Sequence, residues 1–228
     1  MFGAVPTLLT ASAWLHGASG ALAVASLYFV TRKRSELDEV ERTGSAAALD
    51  ALVTAEDTWQ TTELMSLIAL LAALALTITW THQLYGRLTD IGAQDFRHRR
   101  GFAIGGWFIP FANLFLVPRI LDDLERAART RRRPIGHGWK EQRSSKLPAV
   151  WASTWVLSRF VILSLPDTVG LGDFDALSTI VNGRLALAVI DIAAATIVVV
   201  FTVRLRRQLL TPPEPAPPAE PTIGTWAG

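Results

Sequence analysis

Two oppositely charged residues, Arg159 and Asp191, lie inside otherwise apolar stretches of the sequence. A lone charge in the middle of a membrane-spanning helix costs ~2.5 to 3.5 kcal/mol, so such residues are usually paired or functional. Arg159 lies six residues before Leu165 and Asp191 six residues after Leu185, which places both about 9 Å from the outer ends of an antiparallel hairpin. The spacing predicts a buried ion pair that fixes two helices. The alternative is a proton or ion relay, or a pocket for a charged ligand.

Two residues, Pro110 and Asn113, interrupt the regularity of the apolar stretch at residues 101–118. Pro110 removes a backbone hydrogen-bond donor near its middle and Asn113 places an amide there, so a regular lipid-facing helix would leave polar groups unsatisfied. Together with Trp107 and Phe108, they form a motif that lines a cavity if the chain is unwound inside the membrane. The alternative is an anchor whose aromatic side chains grip the interface. The sequence favours neither.

The first apolar stretch carries a ladder of small residues spaced four apart, Ala13, Gly17, Ala21 and Ala25. Small residues at this spacing allow two helix backbones to approach closely, so the ladder predicts a helix-packing face. His16 lies beside it, and we expect this histidine to make one interhelical hydrogen bond rather than to bind a ligand.

The residue types needed for several kinds of catalysis are missing or badly spaced. The chain has no cysteine, which excludes disulfides, thiolate metal sites and a cysteine nucleophile. His82, His98 and His137 have no metal-ligand spacing, and the apolar stretches contain no Ser/His pair or paired aspartates. We therefore expect a protein without a catalytic residue, a metal or a cofactor, and not an enzyme.

The elements that position these residues are predicted from clustered hydrophobicity. Half of the 228 residues are hydrophobic, and a helix needs roughly 20 apolar residues to cross a hydrocarbon core of ~30 Å. Trp59 and Trp80, about 31 Å apart along a helix, are expected to rest at the two headgroup layers. The predicted spans are residues 8–30, 64–85, 147–165 and 185–203.

The predicted fold is therefore an all-α, polytopic membrane helical bundle with four transmembrane helices. Residues 101–118 are expected to form a broken re-entrant or interfacial segment, followed by an amphipathic helix that uses Ile120, Leu121, Leu124 and Ala128 on one face. Residues 1–210 form a single membrane domain, and the proline-rich tail at residues 211–228 is expected to be disordered.

The orientation in the membrane is only partly determined by charge. Four spans with a cytoplasmic N-terminus and five spans with an external one each leave four basic residues outside, so the positive-inside rule does not choose between them. Both arrangements place the acidic residues 166–183 outside and the C-terminus in the cytoplasm. Arginines flank residues 101–118 on both sides, which favours four spans.

A basic run follows the amphipathic helix, at Arg129, Arg131, Arg132 and Arg133. Beside a membrane, such a run is attracted to anionic lipid headgroups by ~1 kcal/mol per basic side chain. We expect lipid rather than nucleic acid to be its partner.

The segment GWFIPFANLFLVPRILDDLERA resembles a family of bacterial multi-pass membrane proteins, best known from actinobacteria and described only as a domain of unknown function. The segments AALDALVTAEDTWQ, ITWTHQLYGR, HRRGFAIGGW, WASTWVLSR and VRLRRQL follow the same pattern. Where the family usually has an arginine-bearing stretch after the second span, this chain has His82, Gln83 and Arg87. The resemblance implies a membrane protein of this architecture in the bacterial plasma membrane, and it brings no known activity or ligand.

These observations favour a non-enzymatic membrane scaffold or partner-binding protein, with a protein partner or a second copy of the chain bound beside the lipid. The alternative is a small transporter or channel that uses the Arg159 and Asp191 pair and the broken segment. Against it, one charged pair is sparse for a permeation path, and no inverted repeat is visible.

Overall fold

The computed structural model of the protein describes residues 2–109, 113–130, 138–164 and 174–211. Within these ranges the chain forms helices and no strand, which confirms the predicted all-α class. The elements are α1 Val5–Thr43, α2 Ala46–Asp90, α3 Phe102–Gly105, α4 Asn113–Arg129, a 3₁₀ turn at Gly138–Glu141, α5 Leu147–Ser164 and α6 Phe174–Leu210.

The first two helices are much longer than the predicted spans. α1 has 39 residues and α2 has 45, so the two helices extend about 58 Å and about 67 Å, roughly twice the hydrocarbon thickness of ~30 Å. α1 ends at Gly44, whose φ of 60° is left-handed and whose N–H donates to the Val40 carbonyl. The polar residues 31–62, which we call the stalk, therefore continue α1 and α2 beyond the predicted spans.

The long helices pack side by side in opposite directions. Ser12 contacts Thr77, and Lys33 forms an ion pair with Glu56, so α1 and α2 are antiparallel. α1 is also antiparallel to α6, because Gly20 lies against Ala195 and Arg34 donates to Asn182. α5 packs against α6 and α4.

The face by which α1 packs follows a heptad pattern. Its buried residues are Val5, Leu9, Ser12, His16, Ala23, Ser26, Val30 and Leu37, a spacing of three and four that is typical of left-handed helix packing. Three of these side chains are polar, and polar groups are costly in lipid, so they turn toward the neighbouring helices.

The small-residue ladder is not this packing face. A Cβ added at Gly17 would meet nothing within 4 Å, and Ala21 is exposed. The close approach occurs instead at Gly20, where an added Cβ would lie 3.0 Å from the Ala195 Cβ. Gly17 and Ala21, in the middle of the ladder, therefore face away from α2 and α6, whereas Ala13 and Ala25 are partly buried.

Three helices of the described part are long and apolar enough to cross a membrane. They are Val5–Thr43, Ala46–Asp90 and Ser178–Leu210, with mean hydropathies of 1.3, 2.1 and 2.5. Large apolar side chains on α2, including Leu64, Met65, Leu67, Ile68 and Leu71, are at least half exposed, as expected for a lipid-facing surface. α5, at the third predicted span, has 18 residues.

The two tryptophans expected at the headgroup layers are buried in the bundle, and their depth in a membrane stays a prediction. Trp59 is 7 % exposed and Trp80 is 1 % exposed. Trp80 packs against Phe201 of α6, with ring centroids 6.5 Å apart. Each indole fills space between helices, because a tryptophan at the correct depth still faces inward if its helix position lies on the packing face.

The broken segment and α4 form the end of the bundle that we call the platform, residues 91–146. α3 is a single short helix, and α4 begins at Asn113. The predicted face of α4 is confirmed, since Ile120, Leu121, Leu124 and Ala128 are all buried. The end of α2, the start of α5 and the end of α6 meet in this same core, so the chain returns at residue 147 to the end it left at residue 90.

Candidate functional site

The most elaborate polar structure in the described chain lies on the acidic side of α4. Asp122 accepts hydrogen bonds from Arg97 at 3.0 Å and from Arg126 at 3.1 Å. Arg97 also donates its backbone N–H to Asp123 at 3.2 Å, and its Nε lies 3.1 Å from the other Asp123 oxygen. The two carboxylates thereby hold the loop after α2 against α4.

Asp123 is the more deeply placed of the two carboxylates. Its side chain is 3 % exposed. Burial raises the pKa of the Asp123 carboxyl above its ordinary value, and the charge of Arg97 opposes that rise only in part. Its protonation therefore changes at a higher pH than that of an ordinary aspartate.

Glu125 joins three separate segments of the chain. It is fully buried, and it accepts hydrogen bonds from Arg129 at 2.5 Å and from the backbone N–H and hydroxyl of Ser145 at 2.9 and 2.7 Å. The Nε of Arg204, on α6, lies 3.8 Å away. A buried carboxylate with this many donors is well satisfied, and removing it would leave several polar groups without partners.

Aromatic stacking closes the platform on its other side. Phe96 lies between Tyr85 and Trp139, with ring centroids 4.5 and 5.0 Å away. Trp139 is 1 % exposed and donates its Nε1 hydrogen to the Gln94 carbonyl at 2.8 Å. Residues distant in sequence are thus fixed to each other without a regular element between them.

A smaller cluster lies at the other end, where the stalk begins. Trp59 donates to the Ser26 hydroxyl at 3.3 Å, and Ser26 donates to Glu63 at 2.5 Å. The guanidinium of Arg184 lies 3.9 Å from the centroid of the Trp59 ring, a cation–π contact, and Lys33 lies 5.6 Å from it. The cluster joins α1, α2 and α6.

Inside the bundle, His16 makes the interhelical hydrogen bond that its sequence position predicts. Its Nε2 lies 3.2 Å from the Thr77 hydroxyl, which is also 3.0 Å from the Ser12 hydroxyl. A cavity of ≈ 20 Å³ lies beside them, enough for about one water molecule. Trp80 lines it, and its Nε1 has no hydrogen-bond partner among the described residues.

The structure separates the residues of the WFIP motif. Trp107 lines the small cavity and packs against Trp151, with ring centroids 5.8 Å apart, whereas Phe108 is 71 % exposed. Asn113 begins α4, and Pro110 lies outside the described residues. One member of the motif thus faces the interior and another the outside.

The predicted Arg159 and Asp191 pair stays a prediction. Arg159 belongs to α5 and Asp191 to α6, which pack against each other, and the side chain of Arg159 lies outside the described residues. Arg129 lies on α4 and binds Glu125, whereas Arg131, Arg132 and Arg133 and the tail at 212–228 are also outside the described ranges. In the part of the chain that is described, no three histidine or acidic side chains are grouped to hold a metal ion.

Sequence reasoning missed the carboxylate network, although part of it was readable. Asp122 with Arg126 and Glu125 with Arg129 are opposite charges four residues apart, which predicts pairing along a helix. The contacts of Glu125 with Ser145 and Arg204 depend on tertiary structure, so no local sequence pattern predicts them.

The length and hydropathy of three helices, and their exposed apolar surfaces, indicate a helical membrane protein. The family described as a domain of unknown function (DUF4328) matches residues 43–208, and the chain belongs to this family. No curated protein and no solved structure matches the chain.

Proposed function

We propose that this protein is a non-enzymatic membrane scaffold whose platform presents a rigid, basic surface to a partner in the cytoplasm. It crosses the bacterial plasma membrane four times, through α1, α2, α5 and α6, with both termini on the platform side. The partner is a protein or a second copy of the chain, held beside anionic lipid.

The observation that carries this proposal is that ion pairs inside the platform neutralise its buried carboxylates. Three platform carboxylates are engaged in contacts within the chain. They are Asp122, Asp123 and Glu125, and their partners are Arg97, Arg126, Arg129 and Ser145. These carboxylates are therefore structural, and Asp123 and Glu125 are too buried to serve a substrate in water. The platform also carries exposed arginines such as Arg99 and Arg143, so the network supports a basic surface rather than a reaction.

The orientation rests on the positive-inside rule applied to this geometry. The platform carries 12 basic and 5 acidic residues, whereas the stalk carries 4 basic and 7 acidic. Because α1 and α6 both have their platform ends at the chain termini, a cytoplasmic platform places both termini inside.

Cysteine labelling tests this topology, since the chain has no cysteine of its own. Single cysteines at Ser45, Gln94 and Ser178 are treated in intact cells with a membrane-impermeant maleimide. We expect labelling at Ser45 and Ser178 and protection at Gln94. Labelling at Gln94 with protection at Ser45 would mean five spans and an external platform, which contradicts the proposal.

A flux assay separates the scaffold from the transporter alternative. Purified protein is reconstituted in liposomes, and proton flux is followed with a pH-sensitive dye for the wild type, Asp191→Asn and the control Asp175→Asn at the start of α6. We expect no flux above that of protein-free liposomes. Flux that Asp191→Asn abolishes and Asp175→Asn retains would sink the scaffold proposal.

A further inference from the structure

A cleft of ≈ 790 Å³ opens between the end of α4 and the end of α6. Its walls are apolar at one end and basic at the other. The residues that matter for its chemistry are Val199, Val200 and Val203 at the apolar end and Arg129, Arg204 and Arg207 at the basic end. No aspartate or glutamate is among its described lining residues.

In the proposed four-span arrangement, on which this step rests, the change from valine to arginine on α6 marks the boundary between hydrocarbon and headgroups. Val203 is the last residue of the apolar run, and Arg204 follows it directly. Arg207 lies about 6 Å beyond Val203 along α6, which is close to the roughly 5 to 7 Å thickness of one headgroup layer. The cleft therefore has an apolar wall beside the acyl chains and a basic wall beside the phosphates.

The basic end of the cleft carries more positive than negative charge. Glu125 contacts Arg129 and Arg204. One carboxylate against the three guanidinium groups of the cleft leaves positive charge there. The Nε of Arg129 and the Oε1 of Gln208 are buried and have no partner among the described residues.

We propose that this cleft is a specific site for one anionic glycerophospholipid. The phosphodiester binds Arg129, Arg204 and Arg207, and an acyl chain lies along Val199, Val200 and Val203. This goes beyond the scaffold role and does not depend on any protein partner. It also differs from diffuse attraction, because it needs residues of the cleft and not merely basic residues near the membrane.

Native mass spectrometry of the full-length protein in detergent tests the proposal. The protein is titrated with dioleoyl phosphatidylglycerol, and with dioleoyl phosphatidylcholine as the zwitterionic comparison. We expect one phosphatidylglycerol to bind saturably and ahead of phosphatidylcholine. Arg207→Gln should weaken binding about fivefold, and the double variant with Arg204→Gln about 25-fold.

Two further variants separate a built site from general charge. Arg206→Gln removes an exposed arginine that neighbours Arg207 but does not line the cleft, so its affinity should equal that of the wild type. Val200→Phe keeps every arginine and fills the apolar wall, so it should weaken phosphatidylglycerol binding. Thermal unfolding without added lipid shows whether each variant is folded.

Three results would overturn the lipid site. Equal binding of phosphatidylcholine would remove the charge selectivity, and an equal loss in Arg206→Gln and Arg207→Gln would mean diffuse attraction. Displacement of the lipid by excess inorganic phosphate, with Val200→Phe unaffected, would identify a site for a free anion instead.

Discussion

The platform and the stalk are both helical but are held together in different ways. In the platform, Glu125 and Trp139 connect segments far apart in sequence. In the stalk, two antiparallel helices run beside the start of α6, and one cluster around Trp59 joins them. The comparison teaches that buried carboxylates stabilise the irregular end, whereas continuous helical hydrogen bonding stabilises the regular end.

The largest expected effect is at the platform. Glu125→Ala leaves Arg129 and the Ser145 backbone N–H without their acceptor, and breaking a buried pair typically destabilises by about 3 to 5 kcal/mol. We expect the free energy of unfolding in detergent, followed by circular dichroism during titration with a denaturing detergent, to fall by that amount. The exposed Glu141→Ala is the control, and an equal loss in both variants would contradict the role of the buried carboxylate in holding the platform together.

A smaller loss is expected in the stalk cluster. Trp59→Phe keeps an aromatic ring but loses the indole hydrogen bond to Ser26 and weakens the contact with Arg184. The free energy of unfolding should fall by about 1 to 2 kcal/mol. Trp14→Phe, at a position 76 % exposed, should leave it unchanged, and a loss there as large as at Trp59 would contradict the cluster's role.

Replacing the glycine in the turn at the tip of the stalk should destabilise the protein, whereas a matched glycine replacement inside α1 should stabilise it. Gly44→Ala places a Cβ at a φ of 60°, which costs about 1 kcal/mol. Gly17→Ala lies inside α1 with open space around it, so it should stabilise the helix by roughly 0.5 to 1 kcal/mol. Thermal midpoints measured by circular dichroism should move in opposite directions, and a shared direction would contradict the assigned turn.

The smallest effect concerns pH. Burial raises the pKa of Asp123 in the folded protein above its ordinary value of 3.8. The folded state therefore binds this proton more tightly than the unfolded state, and the corresponding stability is lost as pH rises from about 3.8 through the folded pKa. Asp123→Asn should flatten this part of the curve of thermal midpoint against pH. A curve of wild-type slope in that variant would assign the pH dependence to another group.

Much of the architecture could be predicted from local sequence. The apolar segments predicted the centres of the long helices, and the buried face of α4 followed from the spacing of Ile120, Leu121, Leu124 and Ala128. The interhelical hydrogen bond of His16 followed from the cost of a polar group in lipid.

The lengths of the helices and the packing face of α1 could not be read in the same way. The predicted spans end where charged residues begin, yet the helices continue beyond them, where Lys33 pairs with Glu56 and Arg34 with Asn182. On α1, the sequence offered two possible packing faces, the small-residue ladder and the face with Ser12, His16 and Ser26. The structure buries the face with the polar residues.

The uninterrupted length of α2 has a further consequence. Its 45 residues run from the tip of the stalk to the edge of the platform without a described break. A continuous helix fixes both the separation of its ends, about 67 Å, and the angle between the directions in which their side chains point. α2 thus acts as a spacer of fixed length and pitch, so that whatever meets the stalk tip is held at a set distance and rotation from whatever meets the platform.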